Sequence, residues 1–348
     1  MSAADDFSKV FSFGNLYESY RQCTKGVAWK SSVQRYIATA PVMVYQTKEK
    51  LMSGKYKSPG FNEFDVCDRG KVRHIRSTSF GERVVQRCLC SNALEPALLP
   101  SMIHDNGACV KKKGFDFAIR RITQHLHEHY RKHGQEGYVL LFDFSDFYNS
   151  ISHELINGIV DKTFSDERIK ALIRYFVGNF GDVGVGMGNN ISQIFALAAA
   201  DRLDHYVKEV LRVRGYGRYM DDGYLIHPSK DFLRECLRDI KAICDELHLN
   251  LNLKKTQIVR LSHGFTWLKT KFYLTATGKV VRKISRTSIT RMRRRLKKLK
   301  KLFSAGRITY RDAFNALQSW RSHARRFDAW HTIKNTEYLF NRLFVFAG

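Results

Sequence analysis

Residues 218–226, Arg-Tyr-Met-Asp-Asp-Gly-Tyr-Leu-Ile, decide how this chain folds. Apolar and aromatic residues flank the central Asp221-Asp222-Gly223, and this order predicts a strand, a tight turn and a second strand. The pattern leaves two adjacent carboxylates at the tip of a strand pair. Two acids in a turn are, by themselves, more typical of an ordinary surface turn than of a functional site. Their meaning therefore depends on the rest of the chain.

A third acid, Asp143, stands near the end of an almost wholly apolar run, Tyr-Val-Leu-Leu-Phe-Asp-Phe at 138–144. Such a run is typical of a buried strand. Burying a charge without a partner is costly, and three carboxylates on buried strands would repel one another unless a cation neutralised them. Mg²⁺ prefers a few carboxylates together with substrate phosphates. The aspartates therefore predict a two-metal site, with Mg²⁺ as the ion and Mn²⁺ as its substitute, of the kind that activates a 3′-hydroxyl.

The charge of the chain indicates what it binds. Its 348 residues include 59 Lys and Arg against 33 Asp and Glu, a net charge of +26. Such an excess predicts an anionic partner, and nucleic acid is favoured over a membrane or a ribosome. No apolar stretch reaches the ~18 residues that a membrane span needs. The first residues lack the order of a secretory signal. We expect no membrane partner and a cytoplasmic location.

Seven cysteines are irregularly spaced and form no Cys-x-x-Cys pair. Reduced thiols in the core are expected, and structural zinc is not. Four histidines, His125, His127, His129 and His133, crowd one predicted helix end. No acid or cysteine accompanies them at a useful spacing. A solvated or RNA-facing helix is therefore expected in place of a metal site.

Periodicity and breakers predict the secondary structure along the chain. Helices are predicted over 42–52, 84–99, 115–133, 191–213 and 232–248, a hairpin over 61–75, and a strand over 256–261. In the helix over 191–213, four residues are expected to face the core: Ile194, Leu197, Tyr206 and Val210.

The segment 282–301 is strongly basic, with eleven Lys or Arg residues and no acid. Apolar residues nevertheless recur at steps of three and four, which predicts an amphipathic helix that Gly306 ends. The stripe consists of Ile289, Met292, Leu296, Leu299 and Phe303. Thr309 and Asp312 form a plausible capping box for a further helix that carries Phe314, Leu317 and Trp320.

Three ordered segments together resemble the palm motifs of reverse transcriptases. Tyr-Met-Asp-Asp at 219–222 resembles the metal-binding motif, the segment 142–153 (FDFSDFYNSISH) resembles the first palm motif, and 188–193 (GNNISQ) resembles the motif between them. The resemblance implies an α+β right-hand polymerase fold, with fingers, a palm of antiparallel sheet and helices, and an α-helical thumb. The implied regions are an N-terminal helical region over 1–56, fingers over 57–137, the palm over 138–275 and a basic thumb over 276–348.

The resemblance also implies roles for single residues of the palm. Asp143 and Asp221 would be the principal metal ligands, with Asp222 and Phe144 beside them. Lys255, with Lys254 next to it, matches a lysine that protonates pyrophosphate. Tyr148 matches the aromatic gate that favours dNTPs over NTPs, and Gln193 would touch the nascent base pair.

Outside the palm, Lys71 and Arg73 match the basic pair that holds the incoming triphosphate. Arg83 and Gln86 match recurring positions of the family's first conserved block. Two segments depart from the family pattern: Lys112 stands where a glycine is common, and 265–268 (FTWL) replaces the usual Phe-Leu-Gly of the primer grip. Five cations are expected to contact an RNA–DNA hybrid from the thumb: Arg291, Arg294, Arg295, Lys298 and Lys301.

The form Gly-x-x-x-Ser-Gln at 188–193, with Ser-Trp-Arg-Ser-His at 319–323, resembles diversity-generating retroelement reverse transcriptases of the prokaryotic group II-like clan. From the 126 residues after Asp222 (348 minus 222), we expect a thumb and no RNase H domain. Those relatives copy a dedicated RNA with a small basic accessory protein, and defence-associated relatives make cDNA from a companion noncoding RNA.

Several expectations about partners follow from this resemblance. They are an RNA template, an RNA–DNA hybrid, dNTPs, a cognate noncoding RNA, and a basic accessory protein or a homo-oligomer, in a bacterial or phage-encoded system. A template-independent DNA polymerase and a non-catalytic RNA-binding protein on a polymerase fold remain alternatives.

Overall fold

The computed structural model describes residues 2–68, 71–186 and 188–345, without the side chains of Asp68, Lys71, Arg73 and His74. The chain forms two compact units. Unit 1 comprises Met1–Ile119, Phe142–Gly223 and Glu235–Thr256, and unit 2 comprises Arg120–Leu141, Tyr224–Arg234 and Gln257–Gly348. This division differs in kind from the four regions expected from the sequence, whose boundaries stay predictions. None of the described helices is both long and apolar enough to cross a bilayer.

Four helices open unit 1, and the predicted helix over 42–52 is confirmed as the last of them. They are α1 (Phe7–Val10), α2 (Phe13–Thr24), α3 (Ser31–Ala38) and α4 (Ala40–Met52). Aromatic contacts join α2 and α3 to the helix that begins at Phe80. The Tyr36 ring lies 5.7 Å from that of Tyr20 and 4.9 Å from that of Phe80.

The predicted hairpin is confirmed by strands β1 (Phe61–Asp68) and β2 (Lys71–Thr78), which pair antiparallel from Phe61 opposite Thr78 to Asp68 opposite Lys71. The helix predicted over 84–99 begins earlier than expected. It comprises α5 (Phe80–Leu89), a π-helical turn (Cys90–Leu94) and α6 (Glu95–Leu98). The earlier start has a local cause, because the Ser79 hydroxyl accepts a hydrogen bond from the Glu82 amide at 3.2 Å.

The described residues in the middle of the chain form seven α-helices and four strands, and α7 has the predicted bounds. The elements are α7 (Phe115–His133), β3 (Tyr138–Asp143), α8 (Phe147–Ser150), α9 (His153–Thr163), α10 (Glu167–Gly178), α11 (Asn190–Ala199), α12 (Asp201–His205), β4 (Tyr216–Tyr219), β5 (Asp222–His227), α13 (Lys230–Glu246) and β6 (Gln257–Arg260). The strands form a sheet of order β4-β5-β3-β6. Within unit 2, β3 and β6 pair antiparallel from Tyr138 opposite Arg260 to Leu141 opposite Gln257.

The single helix predicted over 191–213 is wrong in its second half. It breaks at Ala200, and a π-helical turn covers Tyr206–Val210. A π turn advances fewer degrees per residue than an α-helix, so the apolar stripe loses its phase. Ile194 and Leu197 are buried as expected, but Tyr206 is only half-buried and Val210 is 61% exposed.

The last part of unit 2 contains a three-stranded sheet and three helices. They are β7 (Phe265–Trp267), β8 (Thr270–Leu274), β9 (Val280–Lys283), α14 (Arg286–Ser304), α15 (Tyr310–Ala324) and α16 (Trp330–Phe344). The capping box of Thr309 and Asp312 is confirmed at the start of α15. Met292 and Leu296 of the predicted stripe are buried against Leu317. The sequence did not predict the sheet or α16.

All seven cysteines are free thiols, as expected, but not all lie in the core. Cys88, Cys90, Cys236 and Cys244 are buried. Cys67 and Cys109 are exposed, so the expectation of core thiols is wrong for these two.

Candidate active site

The three aspartates singled out in the sequence lie together in unit 1. Asp143 is the last residue of β3, Asp221 lies in the turn after β4, and Asp222 begins β5. One carboxylate oxygen from each residue lies within 4.8 Å of the others. Asp143 is buried, with 5% of its surface exposed, and the other two are half-buried. No other group of three metal-ligating side chains occurs among the described residues.

The turn that carries Asp221 differs in detail from the prediction. Met220 and Asp221 make the turn, and Met220 adopts the left-handed conformation at a φ of 54°. Gly223 lies in β5 and is not a turn residue. Its role is close packing, because a Cβ atom there would collide with the ring of Phe142. The strand that ends in Asp143 thus packs closely on the strand that begins with Asp222.

Backbone hydrogen bonds fix the ends of these segments. The Phe144 amide donates to the Asp221 carbonyl at 3.2 Å, and the Asn252 amide donates to the Asp143 carbonyl at 2.7 Å. The positions of the aspartates are therefore set by main-chain hydrogen bonds as well as by side-chain packing. The Phe144 ring is buried and stacks on Phe147 at 4.8 Å, so this residue has only its backbone carbonyl to offer a metal.

The electrostatics of the cluster fit a divalent cation. Burial, followed by the charges of Asp221 and Asp143, raises the pKa of Asp222 to about 7. Burial and the charge of Asp143 also raise the pKa of Asp221. Carboxylates that resist ionisation together are stabilised by a cation between them, and oxygen is the donor that Mg²⁺ and Mn²⁺ prefer.

A lysine partly balances the acids. Lys255 Nζ lies 2.6 Å from Asp143 Oδ2, and Asn252 Nδ2 donates to the same oxygen at 3.3 Å. The bond to Asp143 raises the pKa of Lys255. No such contact is described for Lys254, so the structure brings Lys255 alone to the acids.

A buried ion pair that was not predicted from the sequence lies behind the turn. Arg218 and Asp204 are both fully buried, and Arg218 Nη2 lies 2.6 Å from Asp204 Oδ2. Burial alone would lower the pKa of Arg218, but the attraction of Asp204 outweighs it and raises the pKa. Arg218 Nη1 also donates to the Met220 carbonyl at 2.8 Å. The pair therefore holds the turn that carries Asp221.

Tyr148 and Gln193, predicted to contact the nucleotide, are half-buried in the same unit. The Tyr148 carbonyl accepts a hydrogen bond from the Val185 amide at 2.9 Å. Burial, then the charges of Cys109 and Asp221, raises the pKa of Tyr148. Gln193 lies in the first turn of α11, which Asn189 caps. Lys71 and Arg73 lie on β2, but their side chains are outside the described residues.

A cavity of about 850 Å³ in unit 1 is lined by the predicted residues Arg83 and Gln86. Lys25, Arg87 and Lys111 also line it, as do Asn189 and Asn190 at the start of α11. Its one acid, Glu95, lies 3.4 Å from Arg87. The cavity is therefore cationic and polar.

All five predicted thumb cations of α14 are exposed: Arg291, Arg294, Arg295, Lys298 and Lys301. In the part of the chain that the structure describes, no carboxylate pairs with any of them. Their charge is therefore available to a polyanion.

The expectation of a solvated or RNA-facing histidine cluster is wrong for two of its members. His125 and His129 are buried in unit 2. His125 Nδ1 lies 2.9 Å from the Tyr224 hydroxyl, and His129 Nε2 lies 2.7 Å from the Glu136 carbonyl. Their spacing of four residues places both on the inner face of α7.

Known proteins resemble this chain in sequence and in structure. A family model described as reverse transcriptase (RNA-dependent DNA polymerase) matches residues 56–273, more than half of the chain. Protein YkfC of Escherichia coli (strain K12) is 24% identical over 265 residues, which are 64% of this chain and 68% of that protein.

Two solved telomerase structures are also similar to this chain. One, from Candida albicans with a TWJ fragment of telomeric RNA, has a TM-score of 0.47 and 11% identity, and the match covers 89% of this chain. The other, an apo telomerase from Candida tropicalis truncated from its C-terminal domain, has a TM-score of 0.45 and 14% identity over 68% of this chain. This chain spans 65% and 59% of those two chains. The family match establishes that this α+β protein, with the right-hand polymerase fold, belongs to the reverse transcriptase family of RNA-dependent DNA polymerases.

Proposed function

We propose that this protein makes cDNA from a dedicated noncoding RNA by two-metal-ion nucleotidyl transfer, in a diversity-generating retroelement or an anti-phage defence system. The observation that carries the proposal is the cluster of Asp143, Asp221 and Asp222, whose oxygens lie within 4.8 Å of one another. A non-catalytic scaffold has no need of three mutually repelling carboxylates in one place.

In this proposal, Asp143, Asp221 and Asp222, with the backbone carbonyl of Phe144, hold two Mg²⁺ ions or their Mn²⁺ substitutes. When bound there, such ions would supply Lewis-acid activation of the primer 3′-hydroxyl and charge neutralisation for the pyrophosphate. Lys255 carries a proton within 2.6 Å of the same cluster and is the proposed general acid for pyrophosphate.

The incoming nucleotide is assigned to four residues. Lys71 and Arg73 hold its triphosphate, where the planar Arg fork suits bidentate contact with phosphate. The Tyr148 ring lies under the sugar and excludes a 2′-hydroxyl, and Gln193 contacts the nascent base pair.

Two cationic surfaces are assigned to nucleic acid. We assign the template strand to the cavity lined by Arg83, Arg87 and Lys111, because phosphates would meet cations there without a free acid. The exposed cations of α14 contact the phosphates of the RNA–DNA hybrid, which fixes register without reading sequence.

The biological setting rests on the segments 188–193 and 319–323. They favour a bacterial or phage-encoded enzyme that works in the cytoplasm on a cognate noncoding RNA. A small basic accessory protein, or a second copy of the chain, is the further partner that this setting implies.

Sequencing the RNA and DNA that co-purify with the protein from its native cell tests this proposal. We expect one strongly enriched RNA together with DNA complementary to it. DNA without complementarity to any bound RNA would contradict templated synthesis and favour the template-independent alternative. Enriched RNA without DNA, in a protein that also fails to incorporate dNTPs on that RNA, would favour the non-catalytic alternative.

A further inference from the structure

The outer face of α16 differs in chemistry from the Lys- and Arg-rich surface of α14. Trp330 and Tyr338 are 64% and 66% exposed, although large aromatic side chains are usually well buried. Lys334 and Arg342, both exposed, continue the same face at steps of four residues. We call the four residues Trp330, Lys334, Tyr338 and Arg342 the α16 stripe.

Packing within unit 2 explains why the stripe faces solvent. The opposite side of α16 is occupied, since Phe340 is buried against Leu296 and Leu317. Ile333 packs on a second small cluster that contains Phe327. The inward side thus has its own apolar contacts, and the aromatic rings of the stripe are not needed for them.

The charges on α16 favour a polyanion as the ligand of the α16 stripe. The one acid of α16, Glu337, is held by Arg321 at 3.1 Å and by Lys334 at 3.6 Å. Arg342 has no carboxylate partner in the described part of the chain.

A single exposed aromatic residue needs no explanation, but two in register with cations do. Trp330 and Tyr338 are eight residues apart, which is about 12 Å along a helix. Aromatic rings with interleaved cations are what proteins use to bind single-stranded nucleic acid, because bases stack on the rings while phosphates meet the cations. A duplex hides the faces of its bases, so this surface suits unpaired nucleotides.

We propose that the α16 stripe binds an unpaired segment of RNA, with bases stacked on Trp330 and Tyr338 and phosphates on Lys334 and Arg342. The inference rests on the proposed function in one respect, namely that RNA is the protein's ligand. It adds a second kind of contact, to single strands, beside the hybrid-binding role assigned to α14.

Fluorescence anisotropy with labelled RNA tests the stripe without catalysis. The probes are a single-stranded oligo(rA) of about 20 nucleotides, longer than typical single-strand sites, and a blunt RNA–DNA hybrid, both without dNTPs or divalent ions. In the Trp330→Ala/Tyr338→Ala variant, affinity for the single strand should fall about 5- to 150-fold for each stacked base. Affinity for the blunt hybrid should stay unchanged.

Two controls separate stacking from general effects. Trp330→Phe/Tyr338→Phe keeps an aromatic ring at each position and should bind nearly as wild type does. Tyr45→Ala removes a 55% exposed tyrosine from α4 and should have no effect. Melting temperatures close to wild type are expected for all variants, because the rings pack on nothing in the core.

The inference is overturned if the alanine pair binds oligo(rA) as wild type does, or if the phenylalanine pair loses as much as the alanine pair. Loss of a protein partner with unchanged RNA affinity would also overturn it and make the face a protein-docking surface. A parallel primer-extension assay keeps the two proposals apart. A wild type that makes no DNA defeats the proposed function alone, while an active enzyme with unaffected binding defeats the stripe alone.

Discussion

The turn that carries Asp221 and Asp222 and the surface of α14 carry opposite charges in opposite environments. Asp221 and Asp222 are half-buried beside Asp143. Burial and the charge of Asp143 raise the pKa of both, and the charge of Asp221 raises that of Asp222 further. The cations of α14 are exposed, and no described carboxylate pairs with them. In the turn, position is fixed by buried strands, main-chain bonds and a buried ion pair. On α14, position is set only by the helix.

This difference predicts how each region responds to change. A substitution at the turn should act steeply, because a displaced carboxylate cannot be replaced by its neighbours. A substitution on α14 should act in small, nearly additive steps, since exposed charges meet phosphates independently. The expected effects therefore decrease from the buried groups behind the turn to the exposed surface.

The buried pair behind the turn should be the most sensitive point. Asp204→Asn leaves the Arg218 charge buried without its partner, and the free energy of unfolding should fall by about 3–5 kcal/mol. Urea unfolding measures this loss. The control Asp231→Asn breaks an exposed pair with Arg234 and should cost less than about 1 kcal/mol. Equal losses of unfolding free energy in the two variants would contradict the proposed contribution of the buried pair to stability.

A second variant separates stability from positioning. Arg218→Met/Asp204→Leu replaces the pair by apolar groups, and much of the stability should return. Primer extension should stay low, because the bond from Arg218 to the Met220 carbonyl is absent in this variant. Recovery of full activity would show that Arg218 has no role in placing the turn.

Neutralising the five α14 cations tests the other side of the comparison. Replacing them by Gln should lower the slope of log affinity against log salt, measured on an RNA–DNA hybrid, by about 0.7–0.9 for each phosphate that the protein no longer neutralises. In the charge-matched control, five exposed cations outside α14 are replaced by Gln, and most of the salt-dependence slope should remain. They are Arg35, Lys50, Lys55, Lys162 and Lys241. Equal slopes for the two variants would contradict a specific role for α14.

In the proposed site, the choice between dNTPs and NTPs depends on the ring of Tyr148. Tyr148→Ala should reduce the preference for dNTPs over NTPs by about tenfold or more, because a steric barrier to the 2′-hydroxyl is removed. Single-nucleotide incorporation with matched dNTP and NTP measures the ratio. Tyr148→Phe keeps the ring and should keep the preference. Unchanged selectivity in the alanine variant would remove the gate from the proposed site.

The smallest effect concerns the pH dependence of stability and involves a residue outside the candidate active site. Burial lowers the pKa of His129 below its ordinary value of about 6.5, so the folded state holds the neutral ring. Stability from this residue is present above about pH 6.5 and is lost as pH falls through that value toward the folded pKa. His129→Gln should flatten the acid side of the stability curve, and exposed His127→Gln should not. An unchanged curve in His129→Gln would contradict this assignment.

Local signals predicted local structure well. Helix α7 has the predicted bounds because Gly134 follows an uninterrupted helical pattern, and the start of α15 follows from a capping box that needs only four residues. The sequence alone predicted that the three aspartates form one cluster, because each stood at an end of an apolar strand.

Tertiary contacts explain what could not be predicted. Gly223 looked like a turn residue, but the Phe142 ring requires it, and that packing joins residues distant in sequence. The pairing of Arg218 with Asp204 has no sequence signature for the same reason. Val210 was predicted to be in the core but is exposed, because a π turn changes the phase of its helix. His125 and His129 carry polar rings whose partners, Tyr224 and Glu136, become visible only in the folded unit.

Primer extension on an RNA template, with dNTPs and Mg²⁺, tests the central claim most directly. We expect the wild type to make DNA complementary to the RNA, and Asp221→Asn/Asp222→Asn to lose about 10³-fold or more of that rate while it keeps its melting temperature. Synthesis should stop when divalent ions are chelated. An equally active double variant, or a wild type that makes no DNA even on its co-purifying RNA, would contradict the account.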